Sequence, residues 1–177
     1  MAQVVILEPD RRTVDKTPLL KWEYTSTQQA YRVHLIGEKT TNPATVIDVT
    51  KDDDIKELTL RKYPYYSGLD YGTYNAAVFV QNQYDAWENT PQRVASYECT
   101  SNCATIGFEG SATFGGAVGT PICIYNMGDE YDGVFWVHTV TDTMAAFYYA
   151  GGNVDLTLPP YAFFAKGAQL EFEIVPA

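Results

Sequence analysis

Apolar residues recur along this chain mostly at every second position, in short runs broken by Gly, Pro, Asn and Asp, and a 3.6-residue period is hard to find. Alternation puts neighbouring side chains on opposite faces of a strand, so the pattern predicts a nearly all-β protein. In the first half the runs are QVVIL (3–7), PLLKWEY (18–24), AYRVHLIG (30–37), ATVIDV (44–49), KELTLRKY (56–63), TYNAAVFVQN (73–82) and RVASYE (93–98). Seven short strands at this spacing are what an antiparallel two-sheet sandwich of about 100 residues requires. The alternation also sorts the faces, with Leu20, Trp22, Tyr31, Val33 and Leu35 inward and Lys21, Glu23, Arg32 and His34 outward. Leu58 and Leu60 are expected in the same core. Tyr74, Ala76, Val78 and Val80 supply its facing layer, with Asn75, Ala77, Phe79 and Gln81 on the other side.

From Cys99 the texture changes. A Gly-rich stretch, GFEGSATFGGAVG (107–119), precedes the apolar runs PICIYN, GVFWVHTV, AAFYYAG, VDLTLP and AQLEFEIV. These predict a second, smaller all-β unit. YNMGDEYDGVFW and YYAGGNVDL are expected as hairpins, because Gly, Asp and Asn accept the backbone angles of tight turns. QLEFEIV alternates Leu170, Phe172 and Ile174 against Glu171 and Glu173, a strand fit to close a sheet. The domain organisation expected is therefore 1–98 and 99–177, joined through the short, Pro-poor YECTSNC.

The first half resembles the fibronectin type III and related immunoglobulin-like modules. The resemblance lies in Trp22 of LLKW, Tyr31 and Val33 of AYRV, Leu58, and then Leu69, Gly72, Thr73 and Tyr74 before an alternating run to Asn82. In that family the corresponding corner carries a Tyr whose hydroxyl bonds back to the chain, which implies that role for Tyr74. Tyr71 stands where the family usually has Pro, and one residue is missing between Thr73 and Tyr74. Trp87, in NQYDAWENTPQ, resembles the segment that follows the corner strand in many members.

Composition narrows the function. Apolar residues make up 46% and charged ones 19%, as in a globular protein. The net charge is −10, and of 12 Lys and Arg only Lys166 falls after residue 98, against eight of the 22 acidic residues. Binding nucleic acid needs clustered cations to displace counterions, so neither nucleic acid nor an anionic membrane is an expected partner. MAQVVILEPDRR reaches Pro and charge after four consecutive apolar residues, unlike a signal peptide, and no apolar run is long enough to span a bilayer. Three cysteines and no Asn-x-Ser/Thr sequon give no sign of an oxidising secretory route, so folding in a cytosol is expected.

Candidate chemistry is sparse. Cys99-x3-Cys103 is the one close thiol pair, and tetrahedral zinc needs a second, so no metal site and no cofactor are expected. A Cys99–Cys103 disulfide is the alternative to free thiols. The run Gly128-Asp129-Glu130-Tyr131-Asp132-Gly133 lacks the spacing of a calcium loop and reads as a solvated hairpin tip. No nucleophile elbow, zinc-protease helix or phosphate loop occurs. His138 reads as a packed histidine beside Trp136, and no catalytic residue is expected. The aromatics are what remains: Tyr63, Tyr65 and Tyr66 in RKYPYYSG, Trp87, and Phe147, Tyr148, Tyr149, Tyr161, Phe163 and Phe164 in AAFYYAGG and PPYAFFAKG. Such rings anchor interfaces or stack on sugars. In the second half they serve either the core or a subunit interface.

A signal-less, acidic pairing of an immunoglobulin-like sandwich with a Gly- and Tyr-rich β unit resembles the accessory virion proteins of tailed phages: capsid decoration proteins, head fibres, and tail or baseplate components. The resemblance implies a non-enzymatic structural protein of the virion, made in the host cytoplasm and contacting capsid or tail proteins and copies of itself. The alternative is a carbohydrate-binding or adhesion module with a surface glycan as partner, and a second is a small glycan-active enzyme.

Overall fold

The computed structural model describes residues 3–62, 66–84, 86–88, 92–108, 114–155 and 162–177. Every regular element among them is a strand. In chain order these are β1 (Val4–Glu8), β2 (Arg12–Thr13), β3 (Leu19–Tyr24), β4 (Gln28–Ile36), β5 (Thr45–Lys51), β6 (Glu57–Thr59), β7 (Gly72–Asn82) and β8 (Gln92–Thr100). There follow β9 (Cys103–Phe108), β10 (Pro121–Tyr125), β11 (Gly133–Trp136), β12 (Thr139–Val140), β13 (Met144–Tyr148), β14 (Val154–Asp155), β15 (Phe163–Lys166) and β16 (Ala168–Ile174). The protein is all-β, in three sheets.

The division into units does not fall at residue 98. One unit comprises Met1–Lys39, Pro43–Asn89 and Ala168–Ala177, and the other Thr40–Asn42 and Thr90–Gly167. Two strands account for the difference. RVASYE, expected as the last strand of the first unit, lies in β8 and pairs with β9, β14 and β15 of the second. The C-terminal β16 returns to the first unit and pairs antiparallel with β7, from Val78 opposite Ala168 to Gly72 opposite Ile174. The second unit is thus inserted between two neighbouring strands of the first.

The first unit has a three-stranded sheet, β1-β3-β6, and a five-stranded sheet, β2-β16-β7-β4-β5. One core serves both, formed by Leu20, Trp22 and Tyr24 of β3, Tyr31, Val33 and Leu35 of β4, Ala76, Val78 and Val80 of β7, and Phe172 and Ile174 of β16. The inward residues are those the alternation selects. Trp22 meets Tyr31 edge-on, with ring centroids 4.9 Å apart. The outward row differs from expectation: His34, Asn75, Ala77 and Phe79 are buried too. Their polar members are bonded, His34 Nε2 lying 3.2 Å from Thr45 Oγ1 and Asn75 Nδ2 donating to Gly37 O at 2.9 Å.

Leu69, fully buried, donates its backbone N–H to Lys16 O at 2.7 Å and fixes the corner before β7. Tyr74 then donates its hydroxyl to Asp70 O at 3.1 Å. The corner bond forms despite the missing residue, with Gly72 at φ +139° opening the strand where a side chain would be strained.

The second unit is one eight-stranded sheet running β11-β10-β15-β8-β9-β13-β12, with β14 on β8. Its two end strands, β11 and β12, are separated in the chain by only Val137 and His138. The three steps from Trp136 to Thr139 span at most about 11 Å, so the ends are held close and the sheet rolls into a barrel-like unit. Phe135 of β11 accordingly stacks on Phe147 of β13 with centroids 4.4 Å apart. The segment expected as an interdomain junction is a hairpin tip inside this unit. Ser101 and Asn102 take φ of 53° and 61° between the closing pair Thr100 and Cys103, as a two-residue turn with both central residues left-handed demands. YNMGDEYDGVFW is a hairpin of β10 and β11. YYAGGNVDL is not one, since β13 pairs with β9 and β14 with β8.

Candidate functional site

In the first unit the open side of the sandwich forms a groove. Among the described residues β5 ends the five-stranded sheet and β6 the three-stranded one, so each carries backbone groups that no further described strand pairs. Between them lies a cavity of about 810 Å³ lined by Val46 through Lys51, Leu58, Thr59, Arg61 and Tyr66. The lining mixes aliphatic side chains with Asp48, Lys51 and Arg61. Arg32 grips Asp48 through two parallel hydrogen bonds, Nε to Oδ1 at 2.9 Å and Nη2 to Oδ2 at 2.8 Å. Desolvation opposes ionisation of Asp48, but the guanidinium holds its carboxyl below the usual carboxylate range.

Of the RKYPYYSG aromatics, Tyr66 lines this groove, with 67% of its surface exposed and φ of 53°. Tyr63 and Tyr65 lie outside the described residues, as does Tyr161. Trp87 is half-buried and bridges to Gln81. Its loop is fastened at both ends. Asn82 Oδ1 accepts the backbone N–H groups of Tyr84 and Ala86 at 2.9 and 3.2 Å. Glu88 Oε1 accepts from Tyr24 Oη at 2.6 Å and from Asn82 Nδ2 at 2.7 Å.

The second-unit aromatics divide between a shared core and its margin. Phe147 and Phe164 are fully buried and belong to the core, which removes them from any contact surface. Phe147 packs with Tyr97 and Phe135, and Tyr149 sits against Tyr97 and Tyr131 at the margin of that group. Phe164 packs with Phe108 and Phe114. Tyr148 is half-buried, as is Phe163, which stacks on Tyr125 across the β10–β15 pair with centroids 5.9 Å apart. Burial first, and then the neighbouring Cys123, pushes the Tyr125 hydroxyl up to about 12. Sequence reasoning missed two strongly exposed rings, Tyr71 at 56% and Tyr84 at 78%. Tyr71 stands where the related corner has Pro, and that departure was its one signal. Lys16 Nζ lies 4.9 Å from the centre of its ring.

None of the three cysteines forms a disulfide. Cys99 faces the same way as its cross-strand partner Ala104, so the pleat turns Cys103, the next residue, to the opposite face. Cys103 Sγ instead lies 3.7 Å from His138 Nε2, and His138 Nδ1 lies 2.9 Å from Thr139 Oγ1. Thirty-five residues separate the thiol from the imidazole, and no spacing rule links them. In the acidic run, Asp132 accepts the backbone N–H groups of Asn126 and Met127 at 3.1 and 2.8 Å, closing the hairpin tip. Among the described residues no three His, Cys, Asp or Glu side chains are grouped to hold a metal.

No family model matches the chain, and no curated protein matches it in sequence.

Proposed function

We propose that the first unit is a fibronectin type III or immunoglobulin-like module whose last hairpin has been opened to accept a second β unit, and that the protein is a non-enzymatic structural and binding component of a tailed-phage particle. The observation that carries this reading is the insertion itself. β7 and β16 are neighbours in one sheet, yet Thr90–Gly167 lies between them in the chain with its own core. With the two-residue β2 set aside, a three-stranded sheet from the first, second and fifth strands of the unit, facing one from the third, fourth, sixth and last, supports that sandwich class. The chain leaves the sandwich for the inserted segment Thr90–Gly167 after β7 and returns to it at the neighbouring strand β16. This suits a scaffold that attaches through one unit and presents the other, as a capsid decoration, head fibre, or tail or baseplate component would. Static light scattering on the purified protein tests it. A particle component is expected to assemble beyond the monomer, in keeping with the symmetry of its site. A clean monomer that co-precipitates with an insoluble polysaccharide overturns the reading.

That second outcome would favour glycan binding, for which the groove is the specific support. Tyr66 offers an exposed ring in a groove that Lys51 and Arg61 also line. On that reading Tyr66→Ala abolishes retardation of the protein in polysaccharide-containing gels.

A further inference from the structure

We propose that Cys103 is a reactive thiol, served by His138 as its base, that takes up a low-molecular-weight disulfide and holds it as a mixed disulfide. Three residues from two strands and a flank make the site. Cys103 opens β9, His138 precedes β12, and Thr139 is the first residue of β12. The thiol and imidazole are both half-buried, within reach of a small molecule, whereas Cys99 and Cys123 are buried. Cys99 donates its thiol to Tyr149 O at 3.9 Å, and burial raises its thiol above the ordinary range, with the nearby Cys103 adding to the rise. The base role requires the tautomer in which His138 Nδ1–H is donated to Thr139 Oγ1, which leaves the Nε2 lone pair towards Cys103 Sγ. A nucleophile, a base within hydrogen-bonding distance, and a third group that orients the base are the parts of an activated thiol.

The step balances. His138 Nε2 takes the proton from Cys103 Sγ, the sulfur attacks one sulfur of the disulfide, and that S–S bond breaks. The departing thiolate receives the proton back from His138 and leaves as a thiol. The disulfide is the oxidant, and nothing else is consumed. Because Cys99 faces away across the pleat, no second thiol is placed to displace the adduct, so the modification stops at one equivalent per chain.

Glutathione disulfide is the probe, with intact-mass and peptide mapping of the folded protein over time. One glutathione per chain on Cys103 is expected, forming faster than on a synthetic peptide spanning residues 99–107. Cys103→Ser removes it, and His138→Gln slows it by about a hundredfold, the low end of what a positioned base contributes. His138 donates its backbone N–H to Ala146 O, a bond the Gln variant keeps, and far-UV circular dichroism checks that its fold is unchanged. Thr139→Val, at an exposed position, is expected to slow the reaction several-fold by releasing Nδ1 and supplies an independent variant. A wild-type rate no faster than the peptide's, equal labelling of Cys99 or Cys123, or an unchanged rate in whichever of the two variants is folded overturns the proposal.

Discussion

Gln28 sits 3% exposed among apolar neighbours, where an amide is tolerated only with its polar atoms paired. Its Oε1 accepts from Trp22 Nε1 at 3.0 Å, and its Nε2 donates to Asp53 O at 3.1 Å and to Ile55 O at 2.7 Å. One side chain therefore satisfies the core indole and holds the loop between β5 and β6. Gln28→Ala leaves one donor and two acceptors without it, and a loss of about 2–3 kcal/mol is expected from the urea-unfolding midpoint. His34 acts through protons. Burial pushes its ring down to about 4, with the Asp48 charge opposing and the Arg32 charge assisting. In the unfolded chain it titrates near the ordinary value of about 6.5, so between those values the unfolded state binds a proton that the folded state refuses. Stability is complete above the unfolded value and falls as the pH drops through it. About 2 kcal/mol is expected to go between pH 7 and pH 5 by this route. Urea midpoints at the two pH values should differ by that much less in His34→Gln, and an equal drop in both proteins would refute the assignment. Sequence placed His34 on the outward face correctly and its exposure wrongly, because alternation gives the side of a strand and says nothing of what covers it.

At the scale of the element, the corner before β7 illustrates how a bond can survive a change in spacing. The hydroxyl of Tyr74 reaches Asp70 O, and its ring stacks on Phe172 with centroids 5.7 Å apart. Tyr74→Phe keeps the ring and deletes the bond, so about 1 kcal/mol of stability should be lost, measurable by thermal unfolding. A variant as stable as the parent would show that the bond contributes nothing. The long alternating runs were legible: β3, β4 and β7 place their inward rows as the pattern demands. Of the strands that went unread, β2 has only two residues, β9 runs into the Gly-rich stretch that begins at Gly107, and β15 is short of alternation. CATIGF carries Ala104, Ile106, Gly107 and Phe108, all buried, and FFAK is apolar over three consecutive residues. A strand buried on both faces loses the period of two that would announce it.

For the whole molecule the decisive fact is which strand closes the first unit. Residues 1–98 alone would lack β16, leaving one edge of β7 unpaired and the core without Phe172 and Ile174. That fragment is expected to show no cooperative urea transition. Residues 1–89 joined through a short Gly-Ser linker to 168–177 should instead unfold cooperatively, with Trp22 fluorescence reporting the core. The reverse result would return the boundary to residue 98. What the sequence determined by itself was local: an all-β chain, the inward rows of its long strands, the corner tyrosine and the turn at Asp132. These follow from side-chain periodicity and turn chemistry within a few residues. Tertiary structure alone decided that β16 pairs with a strand some 90 residues earlier, that the second sheet closes on itself, that Phe147 and Phe164 are core, and that Cys103 meets His138. An alternating strand such as QLEFEIV can complete any sheet with an open edge. Its partner is selected by the packing of Phe172 and Ile174 against a core already built from distant residues.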